Sequence, residues 1–185
     1  MGKSNSKLSQ ETINELAKST EFSQNEVRLW HREFMTSCPN GKLSKEEFKE
    51  VYNNVFPKGD ASLFSEHVFR TFDANRDGFI DFREFICGLS ILSKGSLDEK
   101  LKWAFQVYDI DSSGYITREE MNEVIKAIYK TAGKEDEKRD LQSEAIQRTD
   151  KLFKAMDCNS DSKISLNEFI EGAKKDSAIL ELLTA

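Results

Sequence analysis

The chain has little of what marks secreted or membrane-spanning proteins. Its three cysteines among 185 residues are an odd and sparse set, which does not suit a disulfide framework and favours a reducing compartment. No stretch approaches the roughly 20 apolar residues that a membrane-spanning helix needs. The opening MGKSNSKLSQ lacks the apolar core of a secretory signal. We therefore expect a cytoplasmic protein.

Basic charge and histidine are also scarce. Acidic residues outnumber basic ones, 33 against 27, for a formal net charge of -6, whereas a nucleic-acid binder needs a basic face. The two histidines, His31 and His67, lie in no recognisable nucleophile or metal motif. Cys38, Cys87 and Cys158 are interpreted as structural or incidental thiols. The composition predicts no nucleic-acid binding and no catalytic activity, and it suits cations or basic partner helices.

What the sequence does contain is an internal repeat. Three twelve-residue segments align without gaps, DANRDGFIDFRE from Asp73, DIDSSGYITREE from Asp109 and DCNSDSKISLNE from Asp157. A fourth segment, TSCPNGKLSKEE from Thr36, shares only the central glycine, the apolar residue that follows it by two and the final Glu47. We name these segments, in chain order, the first loop (36–47), the second loop (73–84), the third loop (109–120) and the fourth loop (157–168).

Apolar residues recur at helical spacing on both sides of each loop. Phe64, Val68 and Phe72 precede the second loop, and Phe85 and Leu89 follow it. Similar patterns flank the third and fourth loops. Each unit is therefore predicted to consist of a helix, a loop and a second helix.

The loops have the oxygen-donor spacing of the EF-hand calcium motif. Calcium takes about six to eight oxygen ligands, which a twelve-residue loop supplies from positions 1, 3, 5, 7, 9 and 12, position 7 acting through its backbone carbonyl. Three loops have suitable residues at these positions. The predicted ligands are Asp73, Asn75, Asp77, Phe79, Asp81 and Glu84 in the second loop, Asp109, Asp111, Ser113, Tyr115, Thr117 and Glu120 in the third, and Asp157, Asn159, Asp161, Lys163, Ser165 and Glu168 in the fourth.

The three loops differ at position 6, where the backbone must turn with a positive φ. Gly78 and Gly114 adopt such a φ without steric cost, but Ser162 occupies this position in the fourth loop. A residue other than glycine costs on the order of 1 kcal/mol there, so we expect weaker binding. We therefore expect two to three bound Ca²⁺ ions, with Mg²⁺ as an alternative occupant at resting calcium.

The first loop is predicted to bind no metal. Thr36, Cys38 and Asn40 occupy its first three ligand positions, and Pro39 stiffens it. The carboxylates that attract calcium are therefore nearly absent. Its expected role is structural, with Leu43 pairing with Ile80 of the second loop.

Four such units predict an all-α fold of four EF-hands in two paired lobes, with short strand pairing between neighbouring loops. The predicted segments are an N-terminal arm with the first helix (1–20), an N-terminal EF-hand pair (21–93), a C-terminal EF-hand pair (94–175) and a C-terminal tail (176–185).

The N-terminus carries a lipidation pattern. Met1, Gly2 and Ser6 fit M-G-x-x-x-[ST], in which the glycine accepts myristate once the methionine is removed. One acyl chain binds membranes only marginally, and Lys3 and Lys7 would each add about 1 kcal/mol near anionic lipid. We therefore predict lipidation of Gly2 and reversible association with an anionic membrane surface.

The sequence resembles the neuronal calcium sensor family, in the recoverin branch of EF-hand proteins, across almost the whole chain. The likeness lies in the MGKSNSKL start, the SCPNGKL of the first loop, and the runs GDASLFSEHVFRTFD, DGFIDFREF, SLDEKLKWAFQVYD and GYITREEM. The resemblance implies a calcium-dependent myristoyl switch, hinge glycines at Gly41 and Gly95, and a solvent-facing apolar groove that receives amphipathic target helices. The corresponding groove residues are Trp30, Phe34, Phe48, Val51, Tyr52, Phe56, Phe85 and Leu89.

The resemblance also implies classes of target, namely a phosphatidylinositol 4-kinase, receptor kinases, guanine-nucleotide exchange factors and ion channels. A passive calcium buffer is the alternative, because the same ligands would serve storage. The charged segment 130–148 predicts either a longer helix or a disordered arm. The tail, with apolar residues between positions 179 and 183, either folds into the groove or caps the C-terminal lobe. We expect a monomer or a weak dimer.

Overall fold

Nine α-helices and four short strands form the part of the chain that the computed structural model describes, residues 8–133 and 140–176. The elements in chain order are α1 (Gln10–Ser19), α2 (Gln24–Ser37), β1 (Lys42–Ser44), α3 (Lys45–Val55), α4 (Ser62–Phe72), β2 (Phe79–Asp81), α5 (Phe82–Lys94), α6 (Leu97–Tyr108), β3 (Tyr115–Ile116), α7 (Arg118–Thr131), α8 (Leu141–Met156), β4 (Ile164–Ser165) and α9 (Leu166–Ala173). The predicted all-α fold with paired EF-hands is confirmed. None of the described helices is long and apolar enough to cross a membrane.

Three predictions fall wholly or partly outside the described residues. Gly2 and the apolar positions of the tail lie outside them, as do residues 134–139 of the charged segment. Within that segment, α7 ends at Thr131 and α8 begins at Leu141.

The helix that follows each loop begins with a capping box. In each case the N-cap side chain accepts the backbone N–H of the residue three positions later, and the glutamate at that position accepts the N–H of the cap. Such caps contribute about 1 kcal/mol each. The pairs are Ser44 with Glu47, Asp81 with Glu84, Thr117 with Glu120 and Ser165 with Glu168. The last four residues of every loop therefore fix the start of the next helix.

One antiparallel strand pair joins the two loops of each lobe. β1 pairs with β2, which places Leu43 opposite Ile80 as predicted, and β3 pairs with β4, which places Ile116 opposite Ile164. All four side chains are buried. The first loop is thereby tied to the second, and the third to the fourth.

A continuous apolar core connects the two lobes. Its fully buried side chains include Leu16 and Ile86 on the N-terminal side and Phe169 on the C-terminal side. Phe72, at the end of α4, meets Trp103 of α6 edge-on with ring centroids 6.3 Å apart. α4 therefore belongs to the N-terminal lobe but packs against the C-terminal one.

Candidate metal centres

The second, third and fourth loops each begin where a helix ends. Asp73, Asp109 and Asp157 are the C-cap residues of α4, α6 and α8. In the third loop, both carboxylate oxygens of Asp109 accept backbone N–H groups at 2.9 Å, one from Ser113 and one from Gly114. The second and fourth loops contain the same pair of bonds at 3.0–3.2 Å. The aspartate at position 1 thus fixes the turn of each loop by accepting two of its backbone N–H groups.

The third loop brings its predicted acidic ligands together. One ligand oxygen each from Asp109, Asp111 and Glu120 lies within 4.8 Å of the others. Asp109 is buried, and the side chain of Ser113, followed by its backbone N–H, lowers the pKa of Asp111. Glu120 accepts N–H groups from the start of the loop through Oε1 and from Thr117 through Oε2. Converging anionic oxygens of this kind fit a hard divalent cation such as Ca²⁺.

The second loop has the same framework but one additional partner. Glu84 accepts the N–H groups of Asn75 at 3.1 Å and of Asp81 at 3.0 Å. The additional partner is Lys42 of the first loop, whose Nζ lies 3.1 Å from Asp77 Oδ2. The pKa of Asp77 is lowered, chiefly by this hydrogen bond and then by the N–H of Phe79. A predicted ligand carboxylate of the second loop is therefore paired with a positive charge from the first loop.

The fourth loop keeps the turn without its glycine. Ser162 has a φ of +66°, against +83° for Gly78 and +86° for Gly114. Glu168 accepts N–H groups from Cys158 at 3.2 Å and from Ser165 at 2.9 Å. The N–H and hydroxyl of Ser165 are the main causes that lower the pKa of Glu168. The predicted ligands therefore occupy the same framework as in the second and third loops, which we call the intact loops. In the fourth loop this framework rests on a strained backbone.

Position 4 of these loops is also strained, which was not predicted from the sequence. Arg76, Ser112 and Ser160, at position 4 of the second, third and fourth loops, all have a φ of +59°. A non-glycine residue is disfavoured there, and none of these side chains is β-branched. That shared absence of β-branching is the only local signal for this position.

The first loop differs in its backbone as well as its ligands. α2 continues to Ser37, so Thr36 at position 1 is still helical and its hydroxyl donates to the carbonyl of Arg32 at 2.8 Å. Cys38 is buried, and burial followed by the charge of Glu47 raises the pKa of its thiol. Proline cannot adopt the positive φ that the other loops use at position 4, which is where Pro39 lies. The hydroxyl of Thr36 and the buried thiol of Cys38 are therefore poor substitutes for the ligands predicted at these positions in the other loops.

The predicted groove residues form two aromatic rows in the N-terminal lobe. In one row, the ring centroid of Phe85 lies 6.2 Å from that of Trp30 and 5.2 Å from that of Phe34. In the other, the ring centroid of Tyr52 lies 5.1 Å from that of Phe48 and 5.5 Å from that of Phe56. The structure therefore brings most of these residues into direct contact with one another.

Their exposure to solvent is uneven. Phe34 and Phe48 are buried, whereas Val51 and Phe56 are 51% and 38% exposed. The remaining four are half-buried against the core, namely Trp30, Tyr52, Phe85 and Leu89. Burial raises the pKa of Tyr52 to about 12. In this conformation the eight residues are thus a partly covered surface rather than an open groove.

Two exposed apolar residues of α3 and α4 were not predicted from the sequence. Val55 is 64% exposed and Leu63 is 46% exposed. Val55 follows Val51 by four residues on α3, so the two share a helix face, and this spacing is a signal that could have identified it. Leu63 lies on α4 and has no comparable signal.

Comparison with known proteins places the chain among calcium-binding proteins along its length. The EF-hand domain pair matches residues 98–174 and the EF hand domain matches residues 66–92; the first loop falls outside both matches. Neuronal calcium sensor 1 of Lymnaea stagnalis is 44% identical over 100% of this chain and 96% of its own length. S-modulin of Aquarana catesbeiana is 39% identical over 95% and 88%, and recoverin of Homo sapiens is 38% identical over 99% and 93%. The similarity extends over both lobes.

Proposed function

The chain belongs to the neuronal calcium sensor family of EF-hand proteins, and we propose that it binds Ca²⁺ through its second, third and fourth loops and regulates target proteins in response. The observation that carries this proposal is the convergence of Asp109, Asp111 and Glu120 within 4.8 Å at the junction of two helices. Such oxygen sets select hard divalent cations. The proposed role is that of a binding protein, with no catalytic step.

The loop glutamates connect ligand binding to helix position. Bound calcium would supply a concentrated positive charge at the centre of the loop. Glu84, Glu120 and Glu168 are at once predicted ligands and the capping residues of α5, α7 and α9. A movement of one of these carboxylates toward the loop centre therefore moves the start of the following helix. The strand pairs transmit this movement to the partner loop of the same lobe.

Exposed apolar surface distinguishes a sensor from a buffer, because a sensor opens a groove on binding and a buffer barely changes. We expect calcium to open the half-covered surface around Trp30 and Tyr52. Calcium should then shift the emission of half-buried Trp30 and increase the binding of a hydrophobic dye. Unchanged emission and dye binding, with calcium uptake intact, would identify a buffer. The matched control is the triple variant Glu84→Gln, Glu120→Gln, Glu168→Gln, which should respond to calcium in neither assay.

Reversible membrane association is proposed from the pattern at Met1, Gly2 and Ser6 and from the charge balance. Three bound Ca²⁺ ions would offset the formal net charge of -6 and ease approach to an anionic leaflet. Sedimentation of the acylated protein with phosphatidylserine vesicles should increase with calcium. Gly2→Ala should abolish this increase. Vesicle binding that depends on neither calcium nor Gly2 would contradict the proposal.

Amphipathic helices of regulated proteins are the proposed partners, since aromatic surfaces that open between helices bind such segments. The target classes proposed are a phosphatidylinositol 4-kinase, receptor kinases, exchange factors and ion channels. Calcium-dependent affinity capture from native cells, followed by mass spectrometry, tests this. As bait, Val51→Glu, a change at an exposed position, should fail to capture the proteins that bind this surface, while its calcium binding stays unchanged. Capture of the same proteins by this variant would contradict binding at this surface.

A further inference from the structure

Lys42 extends from the first loop to a predicted ligand of the second. Its Nζ lies 3.1 Å from Asp77 Oδ2, and the two side chains are 49% and 42% exposed. The strand pair places Lys42 opposite Asp81, and Nζ also lies 4.8 Å from the ring centroid of Phe79. The ammonium group is therefore held beside the acidic ligands of the second loop by its backbone register as well as by its charge.

We propose that Lys42 is a built-in competitor for the second calcium site. With no metal bound, its ammonium neutralises Asp77, and calcium has to displace it to gain that carboxylate. With metal bound, the same positive charge remains close to the ion and repels it. The first loop would thus set the calcium threshold of the second, an inference that rests on the proposed calcium-binding function.

The C-terminal lobe supplies an internal comparison. Lys163 occupies position 7 of the fourth loop, as Lys42 does in the first, and its Nζ lies 5.5 Å from the ring centroid of Tyr115, which corresponds to Phe79. The third loop, however, has Ser113 at position 5, where the second has Asp77. The C-terminal lobe therefore has the lysine over the aromatic ring without the carboxylate ligand for it to neutralise. Competition of this kind is predicted for the second site but not for the third.

The size of the effect follows from exposure. Ion pairs that are half exposed are screened by solvent and contribute little, so displacing Lys42 cannot abolish binding. We expect Lys42→Gln to tighten calcium binding at the second loop by about two- to fivefold, which is the range such pairs span. The gain should shrink as ionic strength rises, because salt screens both the ion pair and the repulsion.

The test isolates the second site. In a background of Glu120→Gln and Glu168→Gln, calcium titration calorimetry compares Lys42→Gln with the parent. Lys45→Gln is the matched control, because Lys45 forms an ion pair of 3.0 Å with Glu66, which is not a predicted ligand, and is similarly exposed. It removes the same charge three residues away and should leave the affinity nearly unchanged.

Thermal unfolding gives a second measurement, made first in chelator and then in calcium. In chelator, Lys42→Gln should lower the melting temperature, because Asp77 loses its counter-charge; calcium should then raise the melting temperature by more than in the parent. An equal gain in affinity from Lys45→Gln, or none from Lys42→Gln, would overturn the inference alone. A folded background protein that takes up no calcium would overturn the proposed function of this site, and the inference with it.

Discussion

At the scale of single residues, the backbone at position 6 separates the fourth loop from the other two. Ser162 has a φ of +66° where Gly78 and Gly114 have φ values above +80°. A Cβ in this region collides with the following carbonyl, at a cost of roughly 1–2 kcal/mol. Serine therefore stops short of the angle that the intact loops adopt. The fourth loop has a complete set of predicted ligands on a backbone that falls short of the turn in the second and third loops.

We expect Ser162→Gly to tighten calcium binding at the fourth loop. Glycine would allow the turn to reach the φ of the intact loops, and relief of about 1 kcal/mol corresponds to about a fivefold gain in affinity. The measurement is calorimetry in a background of Glu84→Gln and Glu120→Gln, where only the fourth loop binds.

Ser160→Gly is the control for this prediction. Ser160 also has a positive φ, +59°, but Arg76 and Ser112 share that angle in the intact loops. Glycine at position 4 would therefore relieve strain without bringing the loop closer to the intact geometry. An equal gain in affinity from Ser160→Gly would mean that added flexibility, rather than the turn at position 6, limits binding.

At the scale of elements, local sequence predicts one end of each helix better than the other. The exiting helices begin right after position 9 because the loop residues themselves form the capping box, as Thr117 and Glu120 do for α7. The entering helices end immediately before position 1 only where an aspartate is the C-cap residue. The continuation of α2 to Ser37 was not predicted, because Thr36 and Pro39 weaken the loop without specifying where the helix ends.

Apart from the pairing of Leu43 with Ile80, contacts between elements were not predicted from these patterns. Lys42 and Asp77 are far apart in sequence and meet because of the strand register. The partial burial of the groove depends likewise on which helix faces pack together. An aromatic residue such as Phe34 or Phe56 has the same periodicity whether it is covered or exposed, so sequence could identify the surface but not its degree of opening.

Arg70 forms one such contact between α4 and the end of α6. Its guanidinium donates to the carbonyls of Gln106 and Val107 at 3.0 Å, to that of Asp109 at 3.1 Å, and to that of Ile110. The last carbonyls of a helix lack partners within the helix and carry its negative dipole end. Arg70 therefore caps α6 from the other lobe, at the point where the third loop begins.

We expect Arg70→Gln to lower the free energy of unfolding by about 1.5–3 kcal/mol, the range for hydrogen bonds that involve a charged group. Arg70→Lys should not restore it, because one ammonium cannot span several carbonyls. Urea unfolding in chelator measures both. Arg83→Gln is the comparison, since Arg83 forms an exposed ion pair with Glu15 and should cost at most about 1 kcal/mol. Equal losses from the two variants would argue against a capping role.

At the scale of the whole molecule, the lobes are joined along α4 and the turn before it. His67 of α4 is buried with Nε2 3.6 Å from Glu123 Oε1 of α7. The backbone N–H of Asp60 donates to the carbonyl of Lys130, near the end of α7, at 3.0 Å. These contacts lie between the two EF-hand pairs rather than inside either, so they determine how the pairs sit together.

The buried His67 makes stability depend on pH. Burial lowers its pKa below 6.5; Arg70 and Lys45 act in the same direction, while Glu123 and Glu66 oppose them. The unfolded chain therefore binds more protons near pH 6, so stability is full above about pH 6.5 and declines as the pH falls toward the folded-state pKa. For one group the decline is at most about 1.4 kcal/mol per pH unit. In chelator, the free energy of unfolding measured with urea should change less between pH 7.5 and pH 5.5 in His67→Gln than in the parent. An unchanged pH dependence would contradict this.

Two glycines lie where the turn before α4 passes close to the end of α7. A Cβ on Gly59 would lie 2.2 Å from the carbonyl oxygen of Lys130, and one on Gly133 would lie 2.1 Å from that of Lys58. Backbone atoms cannot yield as a flexible side chain can. Any residue larger than glycine at these positions must separate the turn before α4 from the end of α7.

We expect Gly59→Ala to lower the free energy of unfolding in chelator by about 1–3 kcal/mol, as overpacking does, and to increase the radius of gyration in small-angle scattering as the lobes separate. Gly78→Ala is the matched control, because a Cβ there meets nothing within 4 Å while φ is +83°. It should lose stability through backbone strain alone and keep the radius of the parent. An unchanged radius for Gly59→Ala would mean that the lobes keep their arrangement without this contact, leaving the α4 packing as the element that holds them together.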